Sequence, residues 1–237
     1  MVATGLGKTS RNSEILDGTL SSAECENFAN FDNDISYATG SLVNMKGIIC
    51  GGFIKGVGFS KDCLGLTKTS THIVAEMKIK RSNAASVTAH PHRLWVLGGV
   101  VDEWSYGFDS LYSTEYIKFG EESKMGPDLP FPLYQHAIFA INAKIFMMVG
   151  GDTINEFYLS TTFKFSDNKW TIGPYLKQGR SGHAARIIKD RVTKENFMVV
   201  TGGFNGTILD SVEILYTETN QWVEGKQYKT WCICYLC

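Results

Sequence analysis

Phe197-Met198-Val199-Val200-Thr201-Gly202-Gly203 is the stretch from which the fold is read. Large and β-branched side chains favour a pleated, buried strand. Paired glycines at its end permit positive φ and close approach of a neighbouring chain. Downstream come Ser211-Val212-Glu213-Ile214-Leu215-Tyr216, a turn at Thr219-Asn220, and Trp222. The unit recurs. Ile145-Phe146-Met147-Met148-Val149-Gly150-Gly151 stands 52 positions earlier, and Leu94-Trp95-Val96-Leu97-Gly98-Gly99 another 52 before that. Gly47-Ile48-Ile49-Cys50-Gly51-Gly52 lies 47 positions further back, and Val2-Ala3-Thr4-Gly5-Leu6 keeps one glycine 46 positions before it. A second marker precedes the doublets, at Gly182-His183-Ala184, Gln135-His136-Ala137 and, more weakly, Ser36-Tyr37-Ala38. A period of roughly 45–50 residues built from strand-like units indicates a propeller or another stacked array.

A strand ending in Gly-Gly, then Ser-x-Glu, Asn-x-Trp and Gly-Pro, then Arg-x-x-His-Ala, resembles the Kelch repeat. The best copies run from Leu159 to Gly173-Pro174, followed by Arg180-Ser181-Gly182-His183-Ala184, and from Gly202-Gly203 through Ser211-Val212-Glu213 to Trp222. The resemblance spans residues 1 to about 225, strong in the last three units and worn in the first two. It implies an all-β, Kelch-type β-propeller of four-stranded antiparallel blades. About five blade units are expected, near 1–30, 31–78, 79–126, 127–173 and 174–225, in an incomplete ring. The fourth unit should place strands near 134–140, 144–150, 158–165 and 169–172, and the fifth near 183–188, 196–202, 210–216 and 220–224. The first lacks its inner strand, so the chain is expected to begin inside a blade.

Gly51, Gly52, Gly98, Gly99, Gly150, Gly151, Gly202 and Gly203 are assigned structural roles, as are Trp170 and Trp222, each expected to cover a neighbouring blade. His136 and His183 read as packing residues. Counting 13 positions back from the histidine slot, as from His183 to Trp170, finds Ser123, Ser70 and Glu24 in the tryptophan slot of earlier units. Those blades are expected to lack that anchor.

The chain has 237 residues, 43% of them hydrophobic, with 24 glycines and a formal charge of −1, which is ordinary globular material. Its longest basic cluster, Lys78-Ile79-Lys80-Arg81, falls short of the cationic face a nucleic-acid binder shows. No apolar run approaches a membrane helix, and the start lacks the pattern of a secretory signal. A cytoplasmic location is the expectation, with an extracellular one kept open.

Cys50 and Cys63 should sit opposite one another in a hairpin, within disulfide range. A bridge would imply an oxidising compartment, and two reduced buried thiols are the alternative. Residues 226–237 break the repeat and form an aberrant cysteine-rich tail. It reads either as a strand that closes the first blade or as sequence foreign to the repeat. Its Cys232-x-Cys234-x-x-Cys237 lacks the fourth ligand of a structural zinc site, and no metal or cofactor is expected.

In a propeller, binding falls to the loops at either end of the channel, because the strands are occupied with packing. Val100 to Asp109 is the longest such loop, with Asp102, Trp104 and Tyr106 as candidate partner contacts. Arg81, Asn155, Arg180 and Asn205 join them on the same rim. The arginines enter by resemblance to Kelch proteins that capture peptides with an arginine at the start of the inner strand. The reading is a non-catalytic protein-interaction propeller, a scaffold or a substrate-recognition arm, with ubiquitin-ligase and actin-associated roles resting on family analogy alone. The alternatives are a carbohydrate-binding or secreted module, helped by the sequon Asn205-Gly206-Thr207, and an enzyme resembling galactose oxidase or the sialic-acid epimerases. No converging catalytic constellation is legible.

Overall fold

A computed structural model of the chain describes residues 31–67, 69–89, 93–101, 109–189, 194–216 and 219–226, together with the backbone of Val2–Ala3, Glu14–Ile15 and Glu26–Asn27. Among them there is no helix, and so none long and apolar enough to cross a membrane. Four antiparallel sheets of four strands follow one another. The second blade is Thr39–Val43, Lys46–Cys50, Asp62–Leu66 and Thr71–Glu76. The third is Ala85–Thr88, Leu94–Leu97, Thr114–Ile117 and Lys124–Met125. The fourth is Ala137–Ala140, Phe146–Val149, Thr162–Ser166 and Lys169–Ile172. The fifth is Ala184–Lys189, Asn196–Thr201, Val212–Tyr216 and Gln221–Glu224. The first keeps three described strands, with no inner one among the described residues.

The first strands of the second to fifth blades lie side by side and set the axis. Small polar residues suit this position. Thr39 Oγ1 donates to Ser86 Oγ at 2.8 Å, and the Ser41 and Thr88 hydroxyls meet at 2.9 Å. At one end of these strands, residues at positive φ link the blades through backbone groups. Asn83 N–H donates to Tyr37 O (2.9 Å), Gln135 N–H to Asn83 O (3.0 Å) and Gly182 N–H to Gln135 O (2.9 Å).

A sheet packed on both faces needs apolar side chains pointing both ways along its inner strands. Phe146–Val149 is buried throughout, with Phe146 and Met148 facing the third blade while Met147 and Val149 face the fifth. Trp222 is 1% exposed within the cluster joining the fourth and fifth blades, and its Nε1 donates to Pro174 O at 3.0 Å. Trp170 is half-buried against Phe146 and Phe165. In the third blade the tryptophan slot is not idle, because buried Ser123 donates from Oγ to Glu115 Oε2 at 3.0 Å. Cys50 and Cys63 face each other across their strands with Cα atoms 4.0 Å apart and are joined in a disulfide, both fully buried.

The glycine doublets explain the close approach of one sheet to the next. The second glycine donates its N–H to the carbonyl of the following linker: Gly52 to Arg81 O (2.8 Å), Gly99 to Leu133 O (2.8 Å) and Gly151 to Arg180 O (2.9 Å). A Cβ on Gly98, which has φ +59°, would stand 2.3 Å from Leu133 O. Gly98→Ala should therefore cost about 2–4 kcal/mol, combining the left-handed penalty with the displaced linker. Gly120→Ala, at φ +81° but with open space around it, should cost about 1–2 kcal/mol from conformation alone. Urea denaturation of the two variants checks the difference.

Candidate functional site

An up-and-down blade sends the loop between its second and third strands to the same end as the linker to the next blade. That end is the mouth of the axis. Each loop turns back on the linker rather than standing free. Ser36 pairs with Phe53, Ser82 with Val100, Tyr134 with Asp152 and Ser181 with Phe204. In the second blade this becomes a small sheet of Ile35–Ser36, Phe53–Ile54 and Gly58–Phe59.

Arg81 and Arg180 do not belong to the exposed rim, which corrects the sequence expectation. They are 1% and 0% exposed. Arg180 Nη1 donates to Gly202 O (2.8 Å) and Ser211 O (3.3 Å), while Nη2 donates to Ser211 Oγ (3.0 Å) and Glu213 Oε1 (2.8 Å). Glu213 in turn accepts the backbone N–H groups of Lys177 (2.7 Å) and Gln178 (3.1 Å). Arg81 repeats the pattern with Gly98 O, Ser113 and Glu115, and Glu115 accepts from Lys78 and Ile79. Burial pulls both guanidinium groups below their ordinary range, opposed by the paired carboxylates. An arginine entering between two sheets has no water to face, so its fork must be met by protein acceptors.

The same slots hold apolar pairs in the second and fourth blades. Ile35 and Leu64 share one cluster, and Leu133 and Phe163 share another. Charge and its partner are exchanged together.

His136 and His183, each 6% exposed, are wedged between successive doublets. His136 lies against Gly98 and Gly151, and His183 against Gly150 and Gly203. Burial holds both rings neutral, down at about 3 from an ordinary 6.5, with the positive charge on Arg180 adding to the effect at His183. Ala38 and Ala84 fill the corresponding slots against Gly52 and Gly99.

Of the other candidates, Asn155 is exposed and Asn205 half-buried, both in loops at the mouth. Asn155 N–H and Glu156 N–H donate to Thr153 Oγ1. Asp102, Trp104 and Tyr106 lie outside the described residues. Asp152, buried at 4% exposure, accepts the N–H of Tyr158 at 2.7 Å and so holds a residue with φ 57° in place. Burial pushes its carboxyl up. Beyond this frame the mouth presents apolar side chains that spacing alone did not reveal. They include Val57, Tyr112, Phe131, Phe157, Tyr175 and Phe204. No group of three metal-ligating side chains occurs among the described residues.

A model described as the Kelch motif matches residues 196–227. Among solved structures, one titled "Structure of YjhT", a Kelch-type propeller, is similar with a TM-score of 0.77. The match covers 96% of this chain and 81% of that one at 12% identity, so the likeness concerns the fold. No curated protein matches the sequence. The chain folds as a β-propeller and carries a Kelch motif at residues 196–227.

Two outcomes follow from the propeller's interior. Arg180→Leu or Glu213→Phe alone should destabilise by about 3–5 kcal/mol, because each strands a buried partner. The double substitution, which copies the Leu133–Phe163 interface, should recover more than half of that loss in a denaturant double-mutant cycle. Separately, the unfolded chain takes up protons below pH 6.5 that the folded His136 and His183 refuse until pH nears about 3. Their contribution is complete above pH 6.5 and falls as pH drops through that window, by about 1.4 kcal/mol per unit for each ring. Replacing both with alanine, as at Ala38 and Ala84, should lower stability at pH 7.5 yet flatten the acid limb, read by melting temperature against pH.

Proposed function

We propose that this propeller is a non-catalytic interaction module that binds a protein partner at the mouth formed by the post-doublet loops and the interblade linkers. One observation carries the reading. Five of the six exposed aromatic side chains among the described residues, namely Tyr112, Phe131, Phe157, Tyr175 and Phe204, project at this end, and only Tyr216 lies elsewhere. Exposed aromatics gathered on a rigid frame serve as anchors at interfaces. Kelch propellers generally bind protein partners, which agrees with this placement.

The two arginines that sequence placed on the rim are committed inside, where they answer carbonyls and glutamates. The exposed aromatics then supply the main anchors for recognition, suited to a scaffold or substrate-recognition arm rather than to turnover. Tyr158 and Phe204 meet edge to face with centroids 5.6 Å apart, so loops of the fourth and fifth blades form one continuous surface.

Capture of interacting proteins from extract, with crosslinking and mass spectrometry, tests the assignment. Phe157→Ser combined with Phe204→Ser should remove crosslinks that the parent protein makes through this end. Met45→Ser, at the opposite end and 90% exposed, should leave them intact. Loss of capture by the Met45 variant alone would place binding at the other end of the axis. A glycan array run alongside separates a protein partner from a carbohydrate.

A further inference from the structure

The charge beside the aromatic anchors is not evenly shared among the blades. At the mouth of the third to fifth blades, Asp109, Asp128 and Glu156 are exposed and Asp210 is half-exposed. Each stands close in sequence to an exposed apolar side chain. Asp109 precedes Tyr112, Asp128 precedes Phe131, Glu156 precedes Phe157, and Asp210 follows Ile208, which is 40% exposed. Among the described residues, the cations at this end of the same sector are Lys177 in the linker and Lys226 past the last strand of the fifth blade, with Lys78 and Lys80 at its border on the linker that enters the third blade. Arg81 and Arg180 add nothing outside, because each is spent on a buried glutamate. The second blade is mixed, setting Lys55 and Lys61 among Asp32, Asp34 and Asp62.

We infer that the partner seated on the mouth of the third to fifth blades is a basic protein segment carrying apolar anchors. This rests on the mouth being the binding end. The arrangement sets a carboxylate near Tyr112, Phe131, Phe157 and Ile208, with Lys177 near Tyr175, so a chain that alternates cationic and apolar residues meets carboxylates and anchors along its length. An acidic segment would bring like charges against Asp128 and Glu156 and be turned away. Complementary charge of this kind acts chiefly on association rate and specificity, and is screened by salt over about 8–10 Å at physiological ionic strength.

The probes are three labelled synthetic peptides of equal length: alternating lysine and leucine, alternating glutamate and leucine, and alternating lysine and serine. Each is titrated against the full chain by fluorescence anisotropy, with stopped-flow association at low and high salt. The lysine–leucine peptide should bind at least about tenfold more tightly than either of the others, with an association rate that falls about tenfold or more between low and high salt. Asp128→Lys combined with Glu156→Lys should weaken it about tenfold or more, as should Phe157→Ser, while Lys55→Glu should not weaken it. Melting curves confirm that these exposed substitutions leave the fold intact.

Equal or tighter binding of the glutamate–leucine peptide, still sensitive to Phe157→Ser, would overturn the charge assignment and leave the mouth as the binding end. Equal binding of the lysine–serine peptide would overturn the proposal from the other side, by removing the apolar requirement. Absence of binding by all three, or binding indifferent to every mouth variant, overturns the assignment as well. Loss instead through Met45→Ser removes the mouth reading with it.

Discussion

Consecutive blades meet backbone to backbone, and this contact sets the terms for the side chains around it. The N–H of the second glycine in one doublet reaches the carbonyl of the linker that begins the next blade, three times among the described residues. A sheet cannot come that near another if a Cβ intervenes, and at Gly51 one would stand 2.3 Å from Arg81 O. Once the linker is drawn in, its residue at position 81, 133 or 180 is enclosed between two sheets. Whatever stands there must be satisfied without water.

The protein meets that demand in two ways, and the choice alters what reaches the surface. With arginine, the strand opposite supplies glutamate, and that glutamate also accepts two linker N–H groups, fixing Lys177 and Gln178 or Lys78 and Ile79. With Leu133, the strand supplies Phe163, and the linker is held by Phe131, whose ring meets Phe163 edge to face at 5.3 Å. A buried ion pair gains little net stability over a well-packed apolar pair, since desolvation offsets the attraction. Its distinct contribution is direction, because carboxylate oxygens fix the path of a backbone more narrowly than a ring does. The apolar solution leaves Phe131 40% exposed at the mouth, so an interior substitution has created part of the outer surface.

Much of this was legible beforehand. The recurrence of branched runs ending in Gly-Gly gives the blades, because a strand buried on both faces and ending in a tight approach has few other sequence solutions. The arginines were legible only in part. Spacing shows that Arg81 and Arg180 open an inner strand but not which way their side chains turn. A signal was present nonetheless. Ser113-Thr114-Glu115 and Ser211-Val212-Glu213 occur in the blades that follow an arginine. Thr161-Thr162-Phe163 and Asp62-Cys63-Leu64 occur in those that follow Leu133 and Ile35. Matching the slots would have turned the guanidinium inward. The pairing of Phe204 with Ser181, or of Asp152 with Tyr134, left no comparable mark, since these are backbone contacts between segments of unremarkable composition.

The division between interior and mouth follows from the same constraint. Side chains that serve the contact between blades, including His136, Glu213 and Arg180, are fixed in identity by what encloses them and cannot also answer a ligand. Residues past the doublets carry no such duty, because the loop backbone is already held by its pairing to the linker. Asp152 shows the boundary: its carboxylate is turned inward to hold Tyr158 N–H, and the neighbouring Phe157 is thereby presented outward at 58% exposure. A frame rigid in its backbone and free in its outer side chains presents anchors without a large ordering cost on binding. This makes the mouth, rather than the strands or the outer edges, the place where one such propeller can differ from another.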